Sequence, residues 1–200
     1  MRALGVLLAG GRGSRLDAGV PKALVRCAGR TLLDRALSVL RESCDEVVVV
    51  APEGMSLPVP ARERVADPTG SVGPLPAMVA GLGARAHDEA LVLAVDMPLV
   101  ETAALARLRA RRGEALAVLP RPGGLAQPLA AWYSNRARER LALEVEAGVR
   151  LVTLAVERLG PVWVDDDELS SWPGGREAWA NVNTREELAM AESRLAMERR

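Results

Sequence analysis

Near its amino terminus the chain runs Leu8-Ala9-Gly10-Gly11-Arg12-Gly13-Ser14-Arg15-Leu16, three glycines within four residues directly behind an apolar stretch. Such a loop lets the backbone approach a ligand closely and turn its N–H groups inward, a concave arrangement suited to phosphate oxygens. Arg12, Arg15 and Lys22 can add positive charge. Lys22 is set apart by composition: of the 26 basic residues it is the sole lysine, and it follows a rigid Val20-Pro21 step. A compact ammonium at that point can neutralise phosphate charge, which a planar guanidinium does differently.

Spacing excludes two common phosphate-binding loops. A dinucleotide GxGxxG read from Gly11 and Gly13 needs glycine at position 16, which is Leu16. A Walker A loop needs GK followed by Ser or Thr, whereas Lys22 follows Pro21 and precedes Ala23.

The second group of interest is carboxylate. Asp96 ends the apolar run Ala90-Leu91-Val92-Leu93-Ala94-Val95, which places it at the carboxyl edge of an expected central strand, the same edge as the glycine loop. A hard carboxylate there suits Mg²⁺, which takes few protein carboxylates and completes its shell with phosphate and water. The alternative is a turn before Pro98. Asp67 precedes Pro68-Thr69-Gly70, so a turn-forming role competes with ligand contact there too. Asn181 and Asn183 can hydrogen-bond a ligand, but Asn183 or Thr184 can also cap the last helix, with Glu187 completing a capping box after Thr184; the cap is the reading the pattern favours. His87, the single histidine, and the run Asp165-Asp166-Asp167-Glu168 read as solvated.

These residues need a scaffold that brings strand ends together. Ala3 to Leu8 reads as a first strand, Thr31 as the cap of a helix with Leu32, Leu33, Ala36, Leu37 and Leu40 on one face, and Glu46 to Ala51 as the next strand. Helix Pro74 to Ala86, strand Ala90 to Val95, helix Thr102 to Arg112 and strand Ala115 to Leu119 repeat the alternation. Beyond Pro120 the expected elements are strand Gln127 to Tyr133, helix Asn135 to Ala147, strand Val162 to Val164, a surface loop Asp165 to Gly175 and a last helix Arg185 to Glu198. The alternation defines an α/β chain, three layers αβα around a mostly parallel central sheet, with residues 1–200 expected as one domain.

Composition narrows the function classes. Lys+Arg 26 against Asp+Glu 26 leaves a formal net charge of +0, so no global field recruits nucleic acid or an anionic membrane surface. There is no Phe, and the four Trp and one Tyr form no evident base-stacking platform. No apolar run approaches the roughly 20 residues that span a bilayer. Cys27 and Cys44 lack metal-ligand spacing and read as small packing residues of a cytoplasmic protein.

The combination LAGGRGSRL followed by PKAL resembles the nucleotidyltransferases, and the chain as a whole is similar to molybdenum cofactor guanylyltransferases. The likeness continues through Cys27-Ala28-Gly29-Arg30-Thr31-Leu32-Leu33, Val65-Ala66-Asp67, Gly73-Pro74-Leu75, Val95-Asp96-Met97-Pro98 and Asn181-Val182-Asn183-Thr184. It implies a Rossmann-like nucleotidyltransferase fold and transfer of GMP from GTP to the terminal phosphate of molybdopterin, with Mg²⁺ and release of pyrophosphate. By position it implies nucleotide contacts from Leu8, Ala9, Gly10, Gly11, Gly13, Lys22, Asp67 and Asp96. It makes Asp96 the metal ligand; with the charge that Arg15 adds from the loop, Arg15, Lys22 and Asp96 are the groups expected to carry catalysis. Implied partners are GTP, molybdopterin and proteins of the molybdoenzyme or cofactor-biosynthesis type. Pro21 is more reminiscent of sugar-phosphate nucleotidyltransferases. Cytidylyltransferases of the same cofactor, cobinamide-phosphate guanylyltransferases and a non-catalytic nucleotide-binding regulator remain open beside the main expectation.

Overall fold

The structure, a computed structural model, describes residues 1–10, 19–68 and 73–197. In chain order its strands and α-helices are β1 (Ala3–Leu8), β2 (Arg26–Cys27), β3 (Arg30–Thr31), α1 (Leu32–Ser43), β4 (Glu46–Ala51), β5 (Arg64–Ala66), α2 (Pro74–Gly83), β6 (Glu89–Ala94) and α3 (Thr102–Arg111). The second half adds β7 (Ala117–Arg121), β8 (Ala130–Ser134), α4 (Ala137–Glu146), α5 (Val152–Glu157), β9 (Val162–Asp165), α6 (Asp166–Leu169) and α7 (Arg185–Met197).

Among the described residues seven strands form one sheet in the order β5-β4-β1-β6-β8-β7-β9. β1 pairs in parallel with β4 and β6, β4 with β5, and β7 with β9, while β8 runs antiparallel to both neighbours. The reversal follows from chain length. β7 ends at Arg121 and β8 begins at Ala130, and a parallel crossover needs about a dozen residues or more. The intervening stretch can turn back but cannot cross over.

Strand alternation divides the apolar residues between two faces. Leu7, Val49, Leu91 and Leu93 pack with Leu33, Leu37, Leu105, Leu108, Leu169 and Ala191, so α1, α3, α6 and α7 cover one face. Val6, Leu8, Val50 and Val92 pack with Leu75, Met78, Leu82, Leu141 and Val156, so α2, α4 and α5 cover the other. The expected three-layer αβα arrangement is what the chain forms. Thr31 caps α1 as its position predicts, its side chain accepting from the Asp34 N–H at 3.0 Å. α2 passes so close to the sheet that a Cβ on Gly81 would lie 2.3 Å from Val6 Cγ1.

Several expectations need correction: β7 is shifted to Ala117–Arg121 and β8 begins only at Ala130. α2 stops at Gly83 rather than Ala86, with the Arg85 carbonyl turned to within 2.9 Å of His87 Nδ1. β2, β3, β5 and α5 have no counterpart in the sequence reading. Asp165 to Gly175 is not a plain surface loop: it contains α6, and Leu169 and Trp172 are buried, as is Trp179 just beyond, so apolar anchors hidden among polar residues pin it down. Its acidic run is engaged as well. Asp165 takes two bonds from Arg121 (2.7 and 3.0 Å), Asp166 Oδ1 accepts from the Gly123 N–H at 2.9 Å, and Glu168 pairs with Arg111 at 2.8 Å.

Candidate functional site

Parallel pairing brings the carboxyl ends of β1, β4, β5 and β6 to one edge. Two backbone bonds extend the ladder past the ends of the strands: Ala9 N–H to the Val50 carbonyl at 2.9 Å and Val95 N–H to the Leu8 carbonyl at 3.1 Å. Leu8 and Ala9 are buried and held in the sheet, and Gly10 emerges at its exposed rim. A Cβ on Gly10 would lie 3.4 Å from Asp67 Oδ2, so this glycine and Asp67 are neighbours. Asp67 is fixed by its own N–H, which donates to the Ala51 carbonyl at 2.9 Å. Gly11, Arg12, Gly13 and Arg15 lie outside the described residues.

Lys22 opens a short 3-10 turn, Lys22–Leu24, set by the extended Pro21. Its side chain runs inward and is 8% exposed. The ammonium donates to Asp96 Oδ2 at 2.6 Å and to Asn183 Oδ1 at 2.8 Å. Asn181 Nδ2 donates to the other oxygen of the same carboxylate, Oδ1, at 3.1 Å. The Val182 N–H donates to the Asp96 carbonyl at 2.8 Å. Four side chains from three distant parts of the chain thus meet in one cluster at the sheet edge.

Local sequence explains the asparagines. Asn181, Val182 and Asn183 alternate, with Val182 2% exposed in the core, which leaves both asparagines facing the opposite way, toward Asp96 and Lys22. The capping box that follows is real but belongs to Thr184 and Glu187. Glu187 Oε2 accepts from the N–H groups of Thr184 (3.0 Å) and Asn183 (2.6 Å), and Thr184 Oγ1 accepts from the Glu187 N–H at 3.2 Å. The favoured reading of Asn183 as a cap is therefore incomplete: its backbone joins the cap while its side chain holds Lys22. The apolar residue between two asparagines was the available signal.

Among the described residues no group of three or more His, Cys, Asp or Glu side chains is placed to cage a metal. The donor set offers instead one hard carboxylate at a ligand-binding edge, which fits Mg²⁺ bound with phosphate and water better than a structural metal. Both cysteines are set apart from this chemistry. Burial pushes the Cys27 thiol up and the Cys44 thiol up to about 12. Among the described residues no helix is long and apolar enough to cross a membrane.

Solved structures share this Rossmann-like α/β architecture over nearly their whole length. Molybdopterin-guanine dinucleotide biosynthesis protein A from Archaeoglobus fulgidus superposes with a TM-score of 0.80 at 25% identity, covering 97% of this chain and 99% of that one. The 2-C-methyl-D-erythritol 4-phosphate cytidylyltransferase of Thermus thermophilus shares the fold at TM-score 0.74 and 22% identity, covering 98% of this chain and 100% of that one. The profile of the MobA-like NTP transferase domain matches residues 5–160. A protein of Chloroflexus aggregans named probable molybdenum cofactor guanylyltransferase is 35% identical, over 96% of this chain and 94% of its own. The chain belongs to the molybdenum cofactor guanylyltransferase family and is a nucleotidyltransferase.

Proposed function

We propose that this enzyme transfers GMP from GTP to the terminal phosphate of molybdopterin in the presence of Mg²⁺, releasing pyrophosphate. The observation that carries this is the Lys22–Asp96 pair, closed by Asn181 and Asn183, beside the Gly10 loop and Asp67. The names of the Chloroflexus and Archaeoglobus proteins support the choice of base and acceptor. The protein acts in the cytoplasm as a single domain over residues 1–200, with cofactor-biosynthesis or molybdoenzyme proteins as its partners.

In the proposed reaction an acceptor phosphate oxygen attacks the α-phosphorus. A new P–O bond forms to the acceptor, the bond between the α-phosphorus and its bridging oxygen breaks, and pyrophosphate leaves with that oxygen and its electron pair. Such transfers depend on positioning and charge neutralisation rather than on a covalent enzyme intermediate. Asp96 is the residue that would hold Mg²⁺, which when bound supplies charge to the phosphates. Leu8, Ala9 and Gly10 fix the start of the nucleotide loop, Gly11 and Gly13 continue it, and Asp67 contacts the nucleotide. Arg15 and Lys22 neutralise phosphate charge.

The test is pyrophosphate release across GTP, CTP, ATP and UTP with molybdopterin as acceptor. GTP alone should support turnover, and Asp96→Ala should abolish the Mg²⁺-dependent rate in a protein that stays folded. A preference for CTP would overturn the guanine assignment. No release with any nucleotide would favour a regulatory nucleotide-binding protein.

A further inference from the structure

We propose that Lys22 is the resident stand-in cation of Asp96: its ammonium occupies the carboxylate until a divalent cation and a nucleotide arrive together, and then moves onto the phosphates. This rests on the reading of Asp96 as the metal-holding residue and deepens it by assigning an exchange between two cations at one carboxylate.

The geometry supplies the argument. Both oxygens of Asp96 are engaged, Oδ2 by Lys22 at 2.6 Å and Oδ1 by Asn181 at 3.1 Å. Each oxygen keeps a free lone pair, so a cation can reach Asp96 directly, but only with the Lys22 ammonium beside it. Asn181 is neutral and can stay. Lys22 cannot share the carboxylate at no cost, because its charge would then face a doubly charged ion at a few ångströms, in a site where the two side chains are 10% and 18% exposed and water screens poorly. A compact ammonium on a flexible four-carbon stem can leave without moving the backbone. Asn183 gives it a second, uncharged acceptor at 2.8 Å, so the lysine is held near the site without depending on Asp96 alone.

A triphosphate changes the balance, since it brings enough negative charge to hold both cations. Metal alone is therefore opposed by Lys22, whereas metal with nucleotide is not. The two bind with positive coupling, and the coupling is reciprocal. A permanent structural salt bridge would predict instead that the Lys22 ammonium stays on Asp96 whether or not metal is bound.

The experiment measures Mn²⁺ binding to nucleotide-free protein by electron paramagnetic resonance or calorimetry. Lys22→Met should bind Mn²⁺ about tenfold or more tightly than the unmodified chain, a size ordinary for coupling between sites. Equal or weaker binding, or no binding by either protein, would overturn the exchange. If Asp96→Asn leaves Mn²⁺ binding intact, the metal-site reading fails instead, so the two failures are distinguishable.

A second readout needs no substitution. Because the chain has one lysine, ¹³C,¹⁵N-lysine labelling reports a single side chain, and its signal should move with the same midpoint as Mg²⁺ binding. In the presence of a GTP analogue with a methylene bridge between the α and β phosphorus atoms, that midpoint should fall to lower Mg²⁺. A lysine signal that stays fixed while metal binds sinks the proposal.

Discussion

Asn183 accepts a hydrogen bond from Lys22 at 2.8 Å across 161 residues of chain. The contact joins the first turn after the glycine loop to a segment beyond residue 160, where the match to the NTP transferase domain profile ends. The last part of the chain is therefore built into the candidate site.

Asn183→Ala should lower kcat/KM by about 10- to 100-fold, the range expected when one hydrogen bond to a charged group is lost, while far-ultraviolet circular dichroism stays unchanged. The Thr184 and Glu187 cap does not depend on the Asn183 side chain. Steady-state kinetics on the folded variant decides it. A rate within twofold of the parent would show that Lys22 needs no second acceptor.

The β2–β3 hairpin predicts a stabilising change. Its two-residue turn places Ala28 at φ 48 and Gly29 at φ 83, a type I′ geometry in which alanine is disfavoured and Asn-Gly is preferred. Ala28→Asn keeps the backbone N–H that donates to Glu192 Oε1 at 2.8 Å. The substitution should add about 0.5–1 kcal/mol, and Tm should rise by roughly 1–4 °C in a scanning calorimeter.

Gly81→Ala should act in the opposite sense, although alanine is the better helix former. Its Cβ would meet Val6 Cγ1 at 2.3 Å and Val50 Cγ2 at 2.9 Å, so α2 must lift off β1 and β4. The net cost should be about 1–3 kcal/mol by urea denaturation. Adding Val6→Ala should recover part of it; simple additivity of the two losses would contradict the steric account.

Thiol reactivity offers a check on burial. The Cys44 thiol, pushed up to about 12 by desolvation, and the raised Cys27 thiol should both resist a disulfide reagent at pH 8 and titrate as two groups after unfolding. Because both folded values lie above the unfolded value of 9.0, their contribution to stability is present below pH 9 and declines as pH rises past it. Rapid labelling of native protein would show the two cysteines to be more open than their surroundings imply.

Much of this scaffold was legible because its cues are local. β1 and β4 begin and end where periodicity places them, and Thr31, Thr184 and Glu187 announce their caps by type and spacing. The misses are long-range. Glu89 went unremarked in the sequence, yet it is 1% exposed, and Arg109 and Arg112 reach it from α3 and the residue just beyond. The reversal of β8 was readable from the short stretch between Arg121 and Ala130, but only once that length was weighed against what a crossover requires. At the site, Lys22 and Asp96 were visible as chemical types. Their pairing was not, since nothing in either neighbourhood encodes a partner 74 positions away.

The contribution of Asn181 and Asn183 also has a consequence for biosynthesis. Domains are made from the amino terminus forward, so a nascent chain that has released Lys22 and Asp96 from the ribosome still lacks both asparagines and the helix that anchors them. Premature termination anywhere before that point would leave a truncated product in which Asp96 has lost Asn181 and Lys22 has lost its second acceptor.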